Sequence, residues 1–155
     1  MEIHSKVHVG GDTDYGRVKG RAGWSWLRCC KYGVDGHQKL LGYHTLAAPD
    51  GKSKYWVRKG NLLALNLLDL DDPNFISKDM IDVALLFIKE RLEAGDNLAI
   101  CCNGGRSRGP SIALLYLRSI GEMPHSFVWA EKIFRVLYPA YDPSAGIRQY
   151  VRMHW

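Results

Sequence analysis

In the second half of the chain, apolar positions repeat with helical spacing between short unbroken apolar runs, and this alternation sets the reading of the fold. In "SKDMIDVALLFIKERLEAG", residues 77–95, Ile81, Ala84, Leu85, Ile88 and Leu92 fall on one stripe. Ser77 stands where an N-cap accepts from the first turn and Gly95 where a helix stops, so the segment predicts a helix. "NLLALNLLDL", residues 61–70, is an apolar run closed by "DDPN", where Pro73 ends any ladder; it predicts a buried strand entering a loop. "NLAIC", residues 97–101, predicts a second short strand, and "PSIALLYLRSIG", residues 110–121, a helix stopped by Gly121. "SFVWAEKIFRVLYP" and "SAGIRQYVRMHW" predict two further helices, opened by Ser126 and Ser144 and separated by Pro139 and Pro143.

Residues 1–60 carry a weaker pattern. Short apolar stretches such as "KVHVGG" and "KYWVRKG", interrupted by "GVDG" and "APDG" turns, read as short strands and loops. Strands alternating with helices and then helices alone predict an α/β fold: a small central sheet, mostly parallel or mixed, flanked by helices. The 155 residues contain no repeat and no low-complexity segment, which predicts a single domain over residues 1–155. A chain of this length buries roughly two thirds of the surface it exposes when unfolded.

Composition narrows the function classes. Apolar residues make up 46% and charged residues 24%, which suits a folded soluble chain and excludes a disordered one. No apolar run approaches the roughly 20 residues of a membrane span, and the first 20 residues lack the apolar region of a secretion signal. The four cysteines form two adjacent pairs, Cys29–Cys30 and Cys101–Cys102, a spacing that suits neither a disulfide framework nor a zinc site. A reducing, cytoplasmic setting is the expectation, with no metal at Cys29, Cys30, His37 and His44, no cofactor, no membrane partner and a monomeric state. The net charge of +5 is scattered along the chain, so it admits anionic partners without indicating nucleic acid. Trp24, Trp26 and Trp56 read as core or pocket-wall aromatics.

Candidate chemistry gathers in "CNGGRSR", residues 102–108, which lies between the strand 97–101 and the helix expected from Pro110. Gly104 and Gly105 let the five residues between Cys102 and Arg108 wrap so that backbone N–H groups point inward and form a cradle for an anion. Asn103, Gly104, Gly105, Arg106, Ser107 and Arg108 would hold a phosphate there, aided by the helix N-terminus. The same field stabilises a thiolate, which makes Cys102 the candidate nucleophile. Arg108 can grip two phosphoryl oxygens through its planar fork. Cys101, on the alternate face of its strand, points away from the cradle and reads as a small core residue.

At these residues the chain resembles the cysteine-based protein tyrosine phosphatases, and among them the small dual-specificity group, whose signature is HCxxGxxR followed by Ser or Thr. Cys102, Gly105 and Arg108 fall on its Cys, Gly and Arg. The resemblance implies a central mixed sheet with helices on both sides, phosphate monoester hydrolysis through a phosphocysteine, and no metal. It also implies a general-acid aspartate on the loop one helix and one strand upstream, where Asp69, Asp71 and Asp72 compete. An ungapped count back from Phe87 favours Asp71; Asp69, which strand alternation would place on the same side, remains its rival, and Asp72 reads as a turn residue before Pro73.

Two positions depart from the signature. Cys101 replaces its His, which helps set the nucleophile through the hydrogen-bond network behind the loop, and Gly109 replaces its Ser or Thr, whose hydroxyl assists breakdown of the phosphocysteine. The expected substrates are phosphotyrosine proteins, with or without phosphoserine and phosphothreonine. An RNA 5′-phosphate, a phosphoinositide, and phosphate binding without turnover are the alternatives, and an unrelated sulfur-transfer or arsenate-reducing enzyme is a more distant one.

Overall fold

The computed structural model describes residues 1–51 and 53–155. Among them, strands β1 (Glu2–His4), β2 (Val7–Gly10), β3 (Trp24–Arg28), β4 (Trp56–Lys59), β5 (Leu62–Leu65) and β6 (Asn97–Cys101) form one sheet in the order β1-β2-β6-β3-β5-β4. The inner four run parallel, while β1 and β4 close the edges antiparallel. The helices are α1 (Asp12–Val18), α2 (His37–Leu41), α3 (Lys78–Glu93), α4 (Arg108–Ser119), α5 (Phe127–Leu137) and α6 (Ala145–Met153), with a 3-10 turn at Pro73–Phe75. This is the expected α/β arrangement, a mixed sheet with helices on both faces.

The sheet is buried on both sides, which explains why its central strand reads as a continuous apolar run. Leu98 and Ile100 of β6 enter the main core with Leu27, Leu63, Ile112 and Phe134. Ala99 and Cys101, one residue out of phase, enter a smaller core with Tyr15 of α1 and Trp26. Strands β3 and β6 pair from Trp24↔Asn97 to Arg28↔Cys101, and the Cys29 N–H donates to the Cys101 carbonyl at 2.8 Å. All four cysteines therefore gather at the C-terminal edge of the parallel strands, the edge at which open α/β sheets bind ligands.

Several expectations shift in detail. The strand predicted within residues 61–70 ends at Leu65, where the regular ladder stops at the pairs Arg28↔Ala64 and Trp56↔Leu65; beyond it only single bonds remain, from the Asn66 N–H to the Tyr55 carbonyl at 2.7 Å and from the Lys31 N–H to the Leu67 carbonyl at 3.2 Å. Asp69 and Asp71 thus lie on a loop, and strand alternation does not relate them. Helix α4 begins at Arg108, two residues before the expected Pro110; a proline in the first turn has no intrahelical N–H bond to lose. In α3 the Ser77 Oγ accepts from the Met80 N–H at 3.4 Å and Gly95 takes φ +90°, so both ends match the sequence signals. Its buried face, Met80, Ile81, Ala84, Phe87 and Ile88, is rotated from the expected stripe, leaving Leu85 and Leu92 only partly covered. Helices α1 and α2, of 7 and 5 residues, fall where only strands and loops were expected; neither is long enough to display a helical period.

Candidate active site

Cys102 follows directly on β6 and is 1% exposed, at the base of the loop that leads into α4. Three of the loop's carbonyls are turned outward and covered by surrounding elements. The Asp12 N–H donates to the Asn103 carbonyl at 3.0 Å, the Tyr138 hydroxyl to the Gly105 carbonyl at 2.8 Å, and the Asp142 N–H to the Arg106 carbonyl at 2.9 Å. Among the described residues, none of the backbone N–H groups of Asn103 to Ser107 donates to a protein acceptor. Outward carbonyls and unpaired N–H groups are what an anion cradle requires.

Two glycines make this wrapping feasible. Gly105 takes φ +68°, and a Cβ there would lie 2.6 Å from the Gly11 nitrogen, so the loop presses against the turn between β2 and α1. A Cβ on Gly109 would lie 3.2 Å from the Cys102 nitrogen and 3.3 Å from the Ile100 carbonyl oxygen. The first turn of α4 therefore rides directly on the end of β6.

Arg108, the first residue of α4, is nine-tenths buried. Its Nη1 donates to the Leu67 carbonyl at 3.2 Å and its Nη2 to Asn103 Oδ1 at 2.9 Å, whereas its Nε has no hydrogen-bond partner. Asp69 faces that nitrogen, with Oδ2 at 3.6 Å, and accepts from the Ser107 Oγ at 2.7 Å through Oδ1. Ser107 Oγ in turn accepts from the Ser144 N–H at 3.1 Å, which ties the N-terminus of α6 to the same point.

Of the aspartates singled out in the sequence, Asp69 is thus brought to the loop. Asp71 is exposed and, among the described residues, makes no hydrogen bond or ion pair. Asp72 accepts from the Asn74 N–H at 2.9 Å and shapes the 3-10 turn. Arg106 is ion-paired with Asp142 at 2.8 Å at the surface, so only its backbone lines the cradle.

The other three thiols have separate surroundings. Burial pushes Cys101 up to about 12, against the pull of Arg28, and it packs with Tyr15, Trp26 and Ala99. Burial also raises Cys29 well above the ordinary thiol range, and raises Cys30 against the opposing charges of Arg28 and Arg108. His37 spends both ring nitrogens on the Tyr43 hydroxyl and the Ser53 carbonyl. Among the described residues no three His, Cys, Asp or Glu side chains gather as a metal site, and no helix is long and apolar enough to cross a membrane.

Several residues that build the site carry no local signal in the sequence. Asp12, Tyr138, Asp142 and Ser144 reach the loop only through the fold. Gly146 lets α6 approach the loop of residues 69–72, since a Cβ there would collide with the Leu70 carbonyl and lie 2.6 Å from the Asp71 carbonyl carbon. The one cue available was "VGGDTD", a double glycine at the end of a short strand, where a close backbone approach is expected.

No protein-family model matches the chain, and no curated protein matches it in sequence. Solved structures do match it in three dimensions. The human tyrosine phosphatase-like serine/threonine/tyrosine-interacting protein superposes with a TM-score of 0.63 at 14% identity, covering 99% of this chain and 93% of that one. Human DUSP28 gives 0.63 at 15% identity over 99% and 90%. The Cydia pomonella PTP-2 phosphatase gives 0.65 at 16% identity over 98% and 87%. With a mixed six-stranded sheet and a cysteine-to-arginine loop joining its central strand to a buried helix, this chain has the fold of the dual-specificity and tyrosine phosphatases.

Proposed function

We propose that the protein is a cysteine-dependent phosphate monoester hydrolase, a protein phosphatase of the dual-specificity type. One observation carries the reading: the loop that runs from Cys102, the residue after β6, to Arg108 holds five successive residues, Asn103 to Ser107, whose N–H groups have no protein acceptor, and ends on an Arg108 Nε that makes no hydrogen bond. A tetrahedral dianion held in that loop would accept from both sets of donors, with Cys102 at the loop's base as the attacking group.

In the first step the Cys102 thiolate forms an S–P bond as the bond from phosphorus to the leaving oxygen breaks, and an aspartic acid gives that oxygen its proton. In the second, water attacks phosphorus, the aspartate takes the water's proton, and the S–P bond breaks to return the thiolate and release phosphate. Asp69 is the better-supported acid because its carboxyl stands against Ser107 and Arg108 at the cradle's rim, although the count from Phe87 favours Asp71. Arg108 and the backbone donors supply the positive field for the transition state, so neither step calls for a metal.

A phosphoprotein is the proposed substrate. Beside the acid loop lies a hollow of about 300 Å³ whose wall mixes Lys31, Lys54 and Asp50 with Leu46, Leu70 and Phe75, a polar and apolar lining suited to the side chains flanking a phosphorylated residue. Phosphotyrosine, phosphoserine and phosphothreonine peptides, a 5′-phosphorylated RNA and a phosphoinositide, offered at equal concentration with phosphate release as the readout, test the assignment. Turnover of the phosphopeptides at ten times the rate of the others or more is expected. Preference for the RNA or the lipid would move the substrate class. Phosphate binding without turnover of any substrate would make the chain a phosphate-reading module.

A further inference from the structure

Arg28 ends β3 directly beside Cys101 and is fully buried, a costly place for a charge unless its partners are well arranged. Its Nη2 donates to Asp12 Oδ1 at 2.5 Å, its Nε to the Val34 carbonyl at 3.0 Å, and its guanidinium lies 4.4 Å from the Tyr15 ring centre. Nε and Nη2 form one edge of the guanidinium fork, so two acceptors are gripped in a fixed geometry that a lysine cannot reproduce.

Asp12, the first residue of α1, passes that constraint to the loop. Its N–H donates to the Asn103 carbonyl, and its Oδ2 accepts from Asn103 Nδ2 at 3.3 Å. The same Nδ2 donates to the Tyr32 carbonyl at 3.0 Å. With two acceptors fixing the nitrogen, the amide oxygen of Asn103 must face the other way, where it accepts from Arg108 Nη2 at 2.9 Å. Were the amide reversed, its NH2 would face the guanidinium donors with no acceptor between them.

We infer that Arg28 is a positioning residue for the phosphate loop, acting through Asp12 and Asn103 to hold Arg108 in its working orientation. It does so from the neighbouring strand, beside the position where this chain has Cys101 in place of the signature histidine. The inference rests on reading residues 102–108 as a phosphate cradle. Arg28 touches neither the nucleophile nor the phosphoryl group, so its effect travels through the groups it holds, Asp12 and the carbonyl of Val34 beside Tyr32, both of which lead to the Asn103 amide, and that makes it separable from a role in packing alone.

The test is a double-mutant cycle with two readouts: tungstate binding by calorimetry and kcat on p-nitrophenyl phosphate. Arg28→Met and Asp12→Asn are each expected to weaken tungstate binding and lower kcat by about tenfold, and Asn103→Ala to do the same. Arg28→Met added to Asn103→Ala should cost less than a further twofold, because the side-chain amide through which it reaches Arg108 is already gone and only the backbone bond from the Asp12 N–H to the residue 103 carbonyl remains. Losses that multiply in the double variant overturn the inference, as does an Arg28→Met protein that melts earlier but binds and turns over as wild type does. If Arg28→Met does not fold, Asp12→Asn replaces it in the cycle under the same criteria. A wild type that binds tungstate with this pattern but has no turnover upholds the inference and overturns the phosphatase reading; a wild type that binds no tungstate overturns both.

Discussion

Arg108 commits two of its three nitrogens to protein acceptors and turns the third, Nε, toward the carboxylate of Asp69. A phosphoryl dianion arriving at that nitrogen comes up against Asp69, the group proposed as the acid for its leaving oxygen. Asp69→Asn is therefore expected to lower kcat on phenyl phosphate about 100-fold, and by less than tenfold on p-nitrophenyl phosphate, whose leaving group needs no proton. Asp71→Asn should stay within twofold on both, and the reverse pattern would make Asp71 the acid. At Gly109 the missing hydroxyl predicts slow breakdown of the phosphocysteine, seen as a rapid burst of p-nitrophenol before a slower steady state. Gly109→Ser should shrink that burst, provided the 3.2 Å approach to the Cys102 nitrogen relaxes by a few tenths of an ångström. A wild type with no burst would contradict this account of Gly109.

At the scale of elements, the site is held from outside by α1, α5 and α6. Tyr138, at the C-terminal cap of α5, has its phenol pushed up to about 12 by burial and donates to the Gly105 carbonyl. Tyr138→Phe leaves that carbonyl unpaired and should cost about 1 kcal/mol in urea unfolding. Gly146→Ala drives a methyl into the backbone of the acid loop, with an expected cost of about 1–3 kcal/mol and a loss of turnover larger than that of Tyr138→Phe. Unchanged activity in Gly146→Ala would detach α6 from the positioning of the acid. What the sequence made legible follows the same division. Helix α3 is readable because the Ser77 cap and the Gly95 stop are both local, and so is the loop between β6 and α4, whose free donors lie in the six consecutive residues 103–108. The apolar run of residues 61–70 outlasts β5 because burial continues through Leu67 after the regular ladder has ended at Leu65. Asp12 was invisible because it meets Asn103 across 91 residues of chain, and only the pairing of β2 with β6 brings them together.

In the molecule as a whole, the helices on the main-core face are locked to one another as well as to the sheet. Arg148 of α6 makes two hydrogen bonds to Glu131 of α5, at 2.7 and 2.6 Å. These bonds hold the Glu131 carboxyl below its ordinary value of 4.5, more than offsetting the opposing effect of burial. A carboxylate with a depressed native pKa contributes stability that is fully present above the unfolded value and is lost as the pH falls through the native one. Glu131→Gln should thus cost about 1–3 kcal/mol at neutral pH, with the gap to wild type closing as the pH falls below the ordinary carboxyl value of 4.5. A gap that stays constant with pH would remove the ion pair from the account. The central claim, that the fold converges on Cys102 as the group that carries phosphate, is tested most directly by quenching the protein in acid during turnover of p-nitrophenyl phosphate and weighing its peptides. The account predicts one phosphoryl group on the peptide containing Cys102, and a Cys102→Ser protein that binds tungstate but turns over more than about 1,000-fold more slowly. Turnover by wild type with no phosphate on that peptide, or full activity in Cys102→Ser, would contradict it.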